Sequence, residues 1–136
     1  MSEWVMKIPS MVFTKIKNDF SQALKEQYGM TNNNFSTVGS TDAPAVFPFV
    51  YLQTMPSVEL GADMDGTGIN AGLFTFQVDV IDNDSQSNAR RVMGEVLRVM
   101  KTMRFEMIAF PEFEDTKDTH RCVARFRRVI GANDTL

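Results

Sequence analysis

Residues 72–82 read GLFTFQVDVID, and the stretch that follows, NDSQSNARRVMGEVLRVMKTM, changes period. In the first piece apolar and polar side chains alternate, which puts Phe74, Phe76, Val78 and Val80 on one face of a half-buried strand. In the second, Ala89, Val92, Met93, Val96, Met100 and Met103 recur at helical spacing and form a stripe. Between them Asp82, Asn83, Asp84 and Ser85 are helix-capping types. A strand that hands to a helix through a polar cap implies a sheet with a helix laid on it, so the chain reads as α+β.

The flanking segments extend this pattern. Phe13, Ile16, Phe20, Ala23 and Leu24 share one face of a helix expected over 10–28, introduced by Pro9 and closed by Gly29, with residues 1–9 as an N-terminal extension. Residues 30–45 are rich in Asn, Ser, Thr, Gly and Pro and read as a connection. Residues 46–55, VFPFVYLQTM, read as a strand with Pro48 near its start and Pro56 beyond its end. Phe47, Phe49 and Tyr51 fall on one face, Val50 and Leu52 on the other, which calls for cover on both sides. Residues 57–71 are glycine-rich and acidic and read as a long mobile loop. A short strand over 105–110 stops at Pro111, and 112–119 form a charged connection. Residues 120–130 alternate again, with Cys122, Ala124 and Phe126 facing one way and Arg121, Val123, Arg125 and Arg127 the other. Arg128 beside Arg127 suggests a bulge, and 131–136 a frayed tail. The expectation is a single domain over 1–136, in the order α-β-β-α-β-β: a mixed or antiparallel four-stranded sheet packed against two α-helices.

Composition narrows the function classes. At 136 residues, 43% hydrophobic and 23% charged, the chain suits one soluble domain. No apolar run approaches the roughly 20 residues of a membrane span. The start, MSEWVMKIP, lacks the features of a secretory signal. The single cysteine, Cys122, excludes an internal disulfide and fits a reducing compartment. A net charge of −3 argues against a dedicated nucleic-acid binder. Ten methionines hint at adaptable contact surfaces, beside their ordinary use as core filler.

Motifs for chemistry are sparse. Asp63-x-Asp65-Gly66 echoes a calcium loop, but the position that should close it with glutamate is Phe74, so no metal is expected. His120 and Cys122 share a strand face and invite a nucleophile–base reading, yet the alternation turns Cys122 inward as a small hydrophobe. No nucleophile elbow, phosphate-binding loop or dinucleotide fingerprint is present, so neither catalysis nor a cofactor is expected. The arginine row of Arg121, Arg125, Arg127 and Arg128 lacks an aromatic on its own face to stack bases. It suits a solvated face paired with Glu112, Glu114, Asp115 and Asp118, or a surface between subunits.

The whole order resembles the tail terminator, or tail completion, proteins of long-tailed bacteriophages. The residues that carry the resemblance are VFPFVYLQ, FTFQVDVID, the helix with Ala89, Val92, Val96 and Met100, the short strand MRFEMIAF and the closing strand RCVARFRRVIG. It covers the chain from Phe13 to Ile130 and leaves the first ten residues, Trp4 among them, aside. The resemblance implies a ring of identical subunits, usually a hexamer, on the head-proximal end of the tail tube. There it ends tube polymerisation and offers a surface to the head–tail connector. The implied partners are further copies of the chain, the tail tube protein and the connector protein. DNA enters only by passage through the ring lumen, and no membrane is involved. The implied location is the virion, after assembly in the host cytoplasm.

Ring closure needs a contact between two different patches. One candidate is the face of Arg121, Arg125 and Arg127, with Arg128 beside it. Its candidate counterparts are Glu59, Asp63 and Asp65 of the glycine-rich loop and the carboxylates Glu112, Glu114, Asp115 and Asp118. The alternative reading is a head-closure (stopper) or minor capsid protein of the neck. A small cytoplasmic enzyme using His120 and Cys122 and a DNA-binding module are further classes.

Overall fold

The structure is a computed structural model that describes residues 3–37, 46–60, 70–115 and 119–136. The elements run α1 (Glu3–Asp19), α2 (Gln22–Tyr28), a 3-10 turn (Asn32–Asn34), β1 (Phe35–Ser36), β2 (Phe49–Thr54), β3 (Val58–Leu60), β4 (Ala71–Asp82), α3 (Gln86–Thr102), β5 (Glu106–Asp115) and β6 (His120–Gly131). Three helices and a six-stranded sheet replace the expected two and four. The sheet order is β1-β2-β4-β6-β5, with β3 pairing β4, and every pair except β1–β2 is antiparallel.

The frame is the strand–cap–helix unit. β4 and β6 pair along twelve residues, from Ala71 opposite Gly131 to Asp82 opposite His120. Phe74, Phe76, Val78 and Val80 from β4 and Cys122, Ala124, Phe126 and Ile130 from β6 are buried on one side. α3 covers them with Ala89, Val92, Met93, Val96, Val99 and Met100. The Ser85 side chain accepts from Asn88 N at 3.1 Å, and Asp82 Oδ2 accepts from the Asp84 and Ser85 amides at 3.0 and 2.9 Å, so donors free at a helix start find partners.

Four corrections concern element limits. The N-terminal helix starts at Glu3 and carries Pro9 inside it. Its apolar stripe begins before the proline: Ile8, Val12 and Ile16 are buried, and Trp4 meets Phe74 edge-on at 6.0 Å. That packing outweighs the backbone bond Pro9 cannot make. The helix also ends early. Phe20 turns into the core, and Ser21 caps a separate short helix that Gly29 closes in the left-handed region (φ +64).

Secondly, part of the expected loop 57–71 is strand. β2 and β3 lie in line along β4, with 55–57 opposite only 74–75, so one extra residue bulges beside Pro56. The rest of that loop, 61–69, lies outside the described residues. Thirdly, β5 runs through Pro111 and the expected connection to Asp115, with register shifts between Met107 and Ala109 and between Ala109 and Glu112. An edge strand tolerates a missing donor, and two of the acids that looked like a loop, Glu114 and Asp115, meet Arg121 and His120 across the ladder. Fourthly, β6 has no bulge against β4. Arg128 takes the inward position and Val129 the outward one.

The tail expected to fray is tethered. Arg128 donates to Met103 O at 2.8 Å and to Thr135 O at 3.3 Å, and Ala132 N donates to Asn70 O at 3.0 Å. Among the described residues no helix is long and apolar enough to cross a membrane.

Candidate functional site

α3 packs on the side of the sheet that carries Phe74, Phe76, Val78 and Val80, and α1 joins it there through Trp4, so the other side is where the outward positions of β2, β4, β5 and β6 gather. Register fixes the neighbours. Tyr51, Asp79 and Val123 stand in one row; Gln53, Gln77 and Arg125 form the next; Ile81 is flanked by Phe49 and Arg121. Alternation alone therefore delivers Arg121, Arg125 and Arg127 to this open face, as the sequence predicts.

These cations are engaged with their own sheet. Arg121 pairs with Asp79 and, at 3.5 Å, with Glu114. Arg125 Nε donates to Gln77 Oε1 at 2.9 Å, and Gln77 Nε2 donates to Asp79 Oδ1 at 3.0 Å. Arg127 reaches Glu106 at 3.4 Å. A polar chain thus runs Arg125–Gln77–Asp79–Arg121–Glu114 across three strands. Asp79 is only 2% exposed, and Arg121 supplies the compensating charge a buried carboxylate needs. The Arg121 Nε lies buried without a partner among the described residues.

The other expected residues are spread out. Arg128 leaves the row for the core side. Glu114 and Asp115 are on β5, Asp115 with His120 Nδ1 at 2.9 Å. Glu112 stands exposed opposite Val123. Glu59 is exposed in β3, while Asp63, Asp65 and Asp118 lie outside the described residues. Reading residues in isolation missed Gln77, Asp79 and Glu106. The signal was present: GLFTFQVDVID places polar side chains at the outward positions of the strand that would face the arginines.

Cys122 sits under α3, fully buried, and burial pushes its thiol up to about 11, against a smaller lowering by Arg90 and a smaller raising by Asp79. It stays protonated at neutral pH and is a poor nucleophile. Among the described residues no three His, Cys, Asp or Glu side chains group as a metal site would need. The arrangement is suited to charge-matched contact over a broad surface.

No protein-family model matches the chain, and no curated protein matches it in sequence. Among solved structures, a chain from the virion of a native gene transfer agent particle is similar in fold. The match covers 89% of this chain and 92% of that one, with a TM-score of 0.52 and 14% identity.

Proposed function

We propose that this chain is a structural protein of a phage-like virion, and within it the tail terminator: a ring of identical subunits on the head-proximal end of the tail tube that ends tube growth and receives the head. The supporting observation is the fold shared along nearly the whole chain with a chain of a gene transfer agent virion. The order of elements that resembles tail terminators gives the finer assignment. The open face fits the role because it offers many cations and acids in fixed register, which sets partner choice and orientation. The chain acts through contact, with no bond-making step and no cofactor. Its partners are further copies of itself, the tube protein and the head–tail connector.

Electron microscopy of particles made without this protein tests the reading. Tubes of uncontrolled length support termination. Tails of correct length that fail to join heads would move the assignment to a head-closure protein of the neck. Normal, infectious or gene-transferring particles would end both.

A further inference from the structure

The two sides of the sheet carry unlike apolar features at the β5 edge. On the helix side, Arg90, Met93, Gly94 and Leu97 of α3 and Pro111 and Phe113 of β5 wall a groove of about 290 Å³. Gly94 faces open space, since a Cβ there would meet nothing within 4 Å, so a larger side chain at this position can grow into the groove. On the open side Phe110 stands 81% exposed, beside Glu112, Val123 and Arg125. Charge follows shape. β5 carries Glu106, Glu112, Glu114 and Asp115 and no base. α3 carries Arg90, Arg91, Arg98 and Lys101 against the single acid Glu95, which Arg98 already holds. Among the described residues no ion pair engages Glu112, Arg91 or Lys101.

Phe110 is not among the residues that wall the groove of its own copy, which leaves the groove open to the Phe110 of a second copy. The geometry points to Phe110 of one copy seated in the α3–β5 groove of the next, with Glu112 brought to the Arg90 and Arg91 end of that helix. An aromatic anchor in an apolar groove beside matched charges is the arrangement that concentrates binding energy in few residues. Made once per junction the contact joins two different patches head-to-tail, and repetition closes a ring or extends a filament; made reciprocally it would stop at a dimer, which sedimentation of the wild type tells apart. This inference rests on the ring reading above and names the surfaces that build it. The arginine row, tied to its own sheet, takes no part in this contact.

The test places the photo-crosslinker p-benzoylphenylalanine at position 110 of the full chain, in concentrated protein and in assembled particles. Peptide mapping should locate crosslinks between position 110 and α3 residues 90–97 of another copy. Crosslinks only to other proteins or other surfaces, or none between copies in either preparation, overturn the contact. A mixing experiment checks its polarity by sedimentation. Phe110→Ser and Gly94→Leu should each weaken self-association at least tenfold, because one removes the anchor and the other fills the groove. Their equimolar mixture should form dimers and no rings, since one productive junction survives; unimpaired rings from either variant alone overturn the proposal. Failure here with tube length still controlled leaves termination standing through other surfaces. A mapped α3 crosslink with normal tails in the protein's absence removes termination and leaves the contact.

Discussion

The covered and open sides of the sheet are made by the same strands, and they are held together by different physics. Under α3, β4 and β6 present Phe76, Val78, Val80, Ala124 and Phe126, all essentially without exposure. One residue further along each strand, the same backbone presents Gln77, Asp79, Arg121 and Arg125, tied by directional bonds. Burial on the covered side is non-directional and large, so it selects the fold. The bonds on the open side add little net energy, because each replaces bonds to water, but they hold charged groups at set spacings. One alternating pattern thus separates the side that drives folding from the side that holds polar groups in register.

The comparison breaks most easily at its covered side. Phe76→Ala should cost about 3–5 kcal/mol, because the ring is fully buried and meets Phe105 edge-on at 5.6 Å. Chemical denaturation checks this; a loss below that of an open-face variant would reverse the division of labour. Next in size is Asp79→Ala. It strips Arg121 and Gln77 of their shared acceptor and should cost about 2 kcal/mol. The cost stays below that of a wholly buried pair because the Arg121 side chain is 39% exposed.

Cys122 sharpens the contrast through pH. Its folded thiol is raised to about 11 from 9.0. The unfolded chain therefore loses this proton first, and stability falls as pH rises from 9 toward 11. By linkage the wild type should lose about 1 kcal/mol more than Cys122→Ala between pH 8 and 10. Parallel urea titrations would show it, and identical pH profiles would contradict the buried, protonated thiol. The smallest effect belongs to the open side. Arg127 and Glu106 are both exposed, so Arg127→Ala should change stability by less than about 0.5 kcal/mol. A larger loss would mean that this face helps to select the fold.

Strong periodicity was legible from the residues alone. The β4 alternation, the Ser85 cap, the α3 stripe and the outward arginines all follow from local pattern. What escaped depended on partners distant in the sequence. The helix before Pro9 is held by Trp4 against Phe74, about seventy residues away. β5 continues past Pro111 because Glu114 and Asp115 meet Arg121 and His120 across the ladder. Arg128 beside Arg127 read as a bulge in the outward row, yet the alternation continues and its guanidinium satisfies the Met103 carbonyl inside. The polar chain through Asp79 needed the β4–β6 register, which no single segment contains. The groove beneath Gly94 likewise exists only once α3 is laid against β5.

Cryo-electron microscopy of the intact particle, with this chain traced in the density, decides whether it forms the terminating ring. The account predicts a closed ring of identical copies at the head-proximal end of the tail tube, each copy touching its neighbours through non-equivalent patches. Isolated copies dispersed over the capsid shell, or a particle that does not contain the chain, would contradict it.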